Sequence, residues 1–232
     1  MLIYILVIDG VFDIGLAALT DVISTAKELI HKDDESIQLD ARLVGVRKFV
    51  RTAQGLTVPI TSARELPAPD FVLIPALGTK MPGPLVQVLQ RKDVADAQEM
   101  LRQWSLAGAV MGAACTGTFV LAESGLLDGQ TATTSWWLSG LFRQRYPKVR
   151  LDESKMLVQS GRLITAGAAL AHLDLGLGVV RSVSPSLASL SARYLLIESR
   201  ASQAEFIIPD HVAHSDPIVE RFEKWARAHL TN

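Results

Sequence analysis

The sequence has a single cysteine, Cys115, among its 232 residues. That excludes an intrachain disulfide and fits a reducing compartment, so cytoplasmic residence is expected. An excess of charge of one sign is also missing, since 23 basic and 24 acidic residues leave a formal net charge of −1. A chain this neutral does not by itself grip nucleic acid through many phosphate contacts, although it suits the neutral part of a larger DNA-binding protein. The start, Met1-Leu2-Ile3-Tyr4-Ile5-Leu6-Val7-Ile8-Asp9, lacks the basic n-region of a signal peptide. The longest uncharged stretch, Gln103 to Ala122, carries Gln103, Ser105, Thr116, Thr118 and three glycines. It reads as buried chain, turn and helix rather than a membrane span. Repeats and low-complexity tracts are not evident.

What is present is an ordinary globular composition, 49% apolar and 20% charged, sized for one large domain or one domain plus an appendage. Leu2 to Ile8 is a continuous apolar run, as in a strand covered on both faces. Asp13 to Ile30 repeats apolar residues at three- and four-residue spacing, a helical stripe. Strands are expected at Leu39–Gly45, Phe71–Ile74 and Gly108–Ala113, and a hairpin at Phe49–Ile60 turning at Gly55. Leu85 to Trp104 reads as one helix, Thr116–Glu123 as another closed by Gly125, and Tyr146-Pro147 ends the next. Two short strands flank Ser160-Gly161, followed by helices from about Ala168 to Val180 and from Ser184-Pro185. Ala201 to Asp216 reads as irregular chain, with Phe206-Ile207-Ile208 expected to be pinned to the body. A last helix opens at Asp216-Pro217, with Ile218, Phe222, Trp225, Ala226 and Leu230 as its apolar stripe. Strand–helix alternation with short connections points to a mostly parallel sheet covered by helices.

The most informative stretch is Gly108-Ala109-Val110-Met111-Gly112-Ala113-Ala114-Cys115-Thr116-Gly117-Thr118-Phe119. A strand runs into Cys115 and a helix begins immediately after it, with small residues permitting a tight, strained turn. A thiol there faces the positive end of a helix dipole, which favours thiolate. The plainer alternative is a buried small hydrophobe. The Thr116 N–H would point at an oxyanion beside the sulfur. The loop Pro75-Ala76-Leu77-Gly78-Thr79 lies at the carboxyl end of its strand, where ligands bind in open parallel sheets. Gly78 either offers its N–H to the same oxyanion or is a plain strand-ending turn. Asp13 either reaches that pocket or caps its helix. Of His31, His172, His211, His214 and His229, His172 is the candidate base, weighed against a surface or hydrogen-bonded core role. His211 and His214 have no third metal ligand in sight, so no metal is expected.

These residues resemble the PfpI-type branch of the class I glutamine amidotransferase-like superfamily, and in particular the N-terminal domain of AraC-family transcriptional regulators. The resemblance rests on Ala113–Gly129 around Cys115, on Ala132-Thr133-Thr134-Ser135-Trp136-Trp137, on Phe142–Pro147 and on Thr165–Asp174. It implies a flavodoxin-like three-layer α/β sandwich with a mostly parallel sheet and a cysteine nucleophile elbow. It also implies that residues 1–200 form the sensing domain. Residues 201–232 would then be a linker and the first helix of a helix-turn-helix DNA-binding domain lying beyond Asn232. Two departures weaken a catalytic reading. Ser135 stands where several relatives have a histidine, and a serine hydroxyl is no general base near neutral pH. Asp13 is only a loose counterpart of the superfamily's glutamate.

The expected function is therefore effector sensing and dimerisation without turnover. The expected pocket residues are Asp13, Gly78, Thr79, Cys115, Thr116 and Ser135. The partners would be a small-molecule effector, a second copy of the chain, and DNA through the further domain, with no membrane and no cofactor. The alternative is a cysteine-dependent amidase, hydratase or glyoxalase-like enzyme, with Cys115 as nucleophile.

Overall fold

In a computed structural model, the described residues are 1–30, 37–63, 66–198, 200–208 and 217–229. Asp216, at the expected start of the last helix, and His31, His211 and His214 lie outside them.

Strands β1 (Leu2–Leu6), β2 (Asp40–Gly45), β5 (Thr61–Ser62), β6 (Phe71–Ile74), β7 (Val110–Ala114), β10 (Leu157–Ser160) and β11 (Leu163–Ala166) form one sheet, ordered β10-β11-β7-β6-β1-β2-β5. Every pairing is parallel except β10 with β11, the hairpin turning at Ser160-Gly161. The apolar runs that made β1, β6 and β7 legible are buried on both faces, as in a sheet covered by helices. Along β1, Ile3 and Ile5 face helices α1 (Asp13–Glu28), α6 (Ala171–Val183) and α7 (Pro185–Tyr194), whose side includes Leu19, Val22, Leu175 and Val179. Tyr4 and Leu6 face α2 (Pro82–Leu89), α3 (Lys92–Leu106), α4 (Gly117–Glu123) and α5 (Ser139–Arg145), with Leu85, Leu101, Phe119 and Phe142. The result is the expected three-layer sandwich.

Two short pairs lie outside the sheet. One is the expected hairpin, β3 (Phe49–Arg51) with β4 (Thr57–Pro59); the other is β8 (Thr131–Ala132) with β9 (Arg150–Leu151). Ser184 caps α7 as expected, its Oγ accepting from the Leu187 N–H at 3.2 Å.

Two expectations fail. The single helix expected over Leu85–Trp104 is broken between α2 and α3 at Arg91, whose backbone is extended (φ −70°, ψ 148°). Arg91 is held there by its ion pair with buried Asp93 and a 2.9 Å hydrogen bond to the Asp9 carbonyl, tertiary bonds that override local helical preference. Phe206 and Ile208 are not pinned; they are 61% and 49% exposed, and the anchor of that segment is polar, Gln203, at 2%. The helix Pro217–His229 also leaves Ile218, Phe222 and Trp225 exposed. No described helix is long and apolar enough to cross a membrane.

The approach of α4 to the sheet demands Gly117, where a Cβ would collide with the Ile74 carbonyl oxygen and come within 2.7 Å of that of Pro75. Backbone cannot yield as a side-chain tip can. Gly117→Ala is expected to lower the unfolding free energy by about 1–3 kcal/mol. Gly83→Ala, on the open side of α2, is expected to be neutral or stabilising by up to about 1 kcal/mol. Urea denaturation of the two variants checks the contrast.

Candidate functional site

The site forms where β1, β6, β7 and β11 end, and Cys115 is its centre. Its backbone sits in the left-handed region (φ 55°), unusual for a residue with a side chain. Three bonds hold it there. Its N–H donates to the Ala166 carbonyl at 3.0 Å, and its own carbonyl accepts from the Thr134 hydroxyl at 2.7 Å and the Thr118 N–H at 3.2 Å. Thr116 Oγ1 donates to the Leu77 carbonyl at 2.8 Å, tying the elbow to the loop after β6.

The thiol is free and 6% exposed. Ser135 Oγ lies 2.8 Å from Sγ, and the N–H groups of Thr116 and Ala169 are directed at the sulfur. These donors lower the thiol's pKa, but burial outweighs them and pushes it above the ordinary value. Of the two sequence alternatives, that direction favours the buried small hydrophobe over the dipole-stabilised thiolate, because desolvation outweighs the donors.

His172 is no base. It is fully buried, its Nε2 accepts from the Ala76 N–H at 3.0 Å, and its Nδ1 donates to the Ala169 carbonyl. Both ring nitrogens are thus engaged, and burial drives its pKa from 6.5 down to about 4. The ring braces two walls of the site, the loops after β6 and β11. Its hydrogen-bonded core role was one of the two sequence readings.

Gly78 corrects another expectation. Its N–H donates to the Gly10 carbonyl at 2.7 Å and is unavailable to an oxyanion. Asp13 does not cap its helix; the cap position is Phe12, and Asp13 Oδ2 instead accepts from the Gln54 N–H at 3.1 Å. Its Oδ1 is buried without a hydrogen-bond partner among the described residues. A small cavity of about 30 Å³ opens beside Cys115, lined by Phe12, Ala76, Leu77, Gly78, Thr79, Lys80, Trp137 and Ala169. That holds one or two waters. Gly78, Thr79 and Cys115 thus line one space with Ser135 and Thr116 against the sulfur, while Asp13 is not on the lining. Sequence reasoning missed Phe12, Trp137 and Ala169; only their chain positions beside Asp13, Ser135 and His172 hinted at them. Among the described residues no group of three or more His, Cys, Asp or Glu side chains is arranged to hold a metal ion.

Residues 1–182 match the DJ-1/PfpI family. The chain belongs to that family. Among curated relatives, the HTH-type transcriptional regulator CdhR of Pseudomonas aeruginosa is 33% identical over 107 residues, covering 45% of this chain and 32% of CdhR. The isonitrile hydratase of Pseudomonas putida is 27% identical over 136 residues, 58% of this chain and 54% of that enzyme. The matched segments thus span between a third and about half of those relatives' length. The crystal structure of an AraC family transcriptional regulator from Pseudomonas putida superposes with a TM-score of 0.66 at 18% identity, covering 84% of this chain and 98% of that one, which shows the shared fold. The DJ-1/PfpI family thus contains both proteins named as regulators and a protein named as an enzyme.

The His172 brace makes stability pH-dependent. Its folded pKa of about 4 lies below 6.5, so the unfolded chain takes up the proton first. The neutral ring's contribution is complete above pH 6.5 and is lost progressively as pH falls toward about 4. The loss expected from this one group is about 3 kcal/mol. Urea melts of the wild type and His172→Gln between pH 7 and 4 check it, the variant losing this part of the slope.

Proposed function

We propose that residues 1–200 form the effector-sensing and dimerising domain of an AraC-type transcriptional regulator. Residues 201–232 are then the linker and first helix leading to a separate helix-turn-helix domain that contacts DNA. The domain binds a small metabolite beside Cys115 without converting it, and works in the cytoplasm. The observation that carries the reading is the site itself: a buried thiol against Ser135 Oγ, its pKa raised by burial, with the neighbouring imidazole of His172 held by two hydrogen bonds. A cysteine hydrolase needs a base to make its nucleophile, and His172, the one candidate, has both nitrogens committed. The likeness to CdhR supports the regulatory role, and the exposed stripe of Ile218, Phe222 and Trp225 suits a helix that packs into a further domain.

The effector would use the Thr116 and Ala169 N–H groups, so a carboxylate or amide oxygen fits the donor set. A cavity of about 30 Å³ is too small for it. Binding therefore moves Trp137 or Leu77, and the energy of that movement is what a sensor transmits. Two copies reading a paired operator give dimerisation its purpose.

A second reading is favoured by the likeness to isonitrile hydratase: Cys115 as the nucleophile of a hydratase or amidase, activated when substrate excludes or reorganises its neighbours.

A thermal-shift screen of small carboxylates, amides and amines separates the two. An effector at a hundred times its Kd should stabilise the chain by about 2.7 kcal/mol, or roughly 5–10 °C for a domain of this size, and be recovered unchanged. Cys115 alkylation should show a pH–rate midpoint above about 8.5, the value for an ordinary cysteine. Consumption of an alkyl isonitrile or an amide, abolished in Cys115→Ser, would replace the sensor with the enzyme.

A further inference from the structure

The chain that leaves the domain toward the helix Pro217–His229 is tied back to the loops that hold Cys115. The buried tie is Gln203. Its Oε1 accepts from the Ala168 N–H at 3.0 Å, and its Nε2 donates to the Thr134 carbonyl at 2.9 Å, with the Lys155 carbonyl at 3.2 Å and Thr133 Oγ1 at 3.3 Å. Gly167 has no side chain because none would fit; a Cβ there would run into the Gln203 carboxamide. The backbone follows, Gln203 N–H donating to the Ser154 carbonyl at 2.9 Å and Met156 N–H to that of Ala201 at 3.3 Å. On the surface, Arg200 bonds the Leu170 carbonyl at 3.0 Å and pairs with Asp174.

The two loops joined by this one carboxamide are those that complete the cysteine site. Thr134 bonds the Cys115 carbonyl and precedes Ser135, which touches Sγ. Ala168 precedes Ala169, whose N–H is directed at Sγ and which lines the cavity. Ala169 lines the cavity and Ser135 touches the sulfur itself, so an occupant there bears on both loops, and the Gln203 oxygen and nitrogen are bonded one to each. A buried amide left without partners is unfavourable, so Gln203 either holds both loops or withdraws. Docked and withdrawn would be the two arrangements of such an element.

We propose that Gln203 couples occupancy of the Cys115 cavity to the chain leaving the domain: docked when the cavity is empty, released when it is filled. The role assigned to that release, moving a further domain, rests on the regulator reading, but the coupling itself is a property of this chain. By reciprocity, loosening Gln203 must also loosen the cysteine site.

Methyl methanethiosulfonate serves as the probe. The Cys115 thiolate attacks its sulfenyl sulfur, methanesulfinate leaves, and a methyl disulfide occupies the cavity until dithiothreitol removes it. Hydrogen exchange at the Gln203, Met156 and Phe206 amides should accelerate about tenfold or more on modification and recover on reduction. In Gln203→Met those amides should exchange fast from the start and ignore the probe, and Cys115 should react severalfold faster than in wild type. Gln203→Asn is read in the same way should Gln203→Met not fold. Ser202→Ala removes a neighbouring tie to the Ser154 carbonyl, at 2.8 Å, without touching either cysteine loop, and should leave Cys115 reactivity unchanged. Exchange that ignores the probe in wild type overturns the proposal. So does a Ser202→Ala variant that speeds Cys115 as much as Gln203→Met. No arm uses DNA or a natural effector, so failure here leaves the regulator reading standing, and failure of that reading leaves this result intact.

Discussion

The left-handed backbone at Cys115 is the constraint on which the rest of the site depends. A non-glycine residue in that conformation costs about 1–2 kcal/mol and persists only where its surroundings hold it. Here the holding groups come from three separate places: Ala166 at the end of β11, Thr134 after β8, and Thr118 in the first turn of α4. The same turn brings Gly117 against the carbonyls of Ile74 and Pro75. Fixing one backbone angle therefore fixes the spacing of the chain segments that surround the sulfur.

His172 does for the cavity walls what these bonds do for its floor. Its two nitrogens span from Ala76 to Ala169, and a protonated ring could not accept from the Ala76 N–H. A catalytic histidine must change protonation to work, whereas a brace must not. Burial that holds this ring neutral down to about pH 4 suits the second task.

The sheet was legible in the sequence because its strands are buried on both faces and written as apolar runs, as β1 and β6 show. Cys115 was legible because a strand meeting a helix through alanine and glycine leaves few local geometries. What could not be read were pairings between loops far apart in sequence. The Gly78 N–H is taken by Gly10, the Arg91 break depends on Asp9 and Asp93, and Gln203 finds Thr134 and Ala168 some seventy and thirty-five positions away. None of these partners leaves a periodic signal. Hydrophobicity pointed to Phe206 and Ile208 as anchors and was misleading there, because a polar side chain with every bond satisfied can be a firmer plug than an exposed aromatic.

Ser135 Oγ lies 2.8 Å from the sulfur, toward which the Thr116 and Ala169 N–H groups are also directed. In the proposed sensor an effector would take over these two backbone N–H groups, which a carboxylate or amide oxygen accepts from far better than a thiol sulfur does. Because the Ala169 carbonyl also accepts from His172 Nδ1 and Ala169 is chain-linked through Ala168 to Gln203, shifting its N–H to such an effector would disturb the brace and the linker together. The strained turn thus keeps donors aimed at a weak acceptor, and that is the condition in which a better acceptor can do work on the surrounding fold.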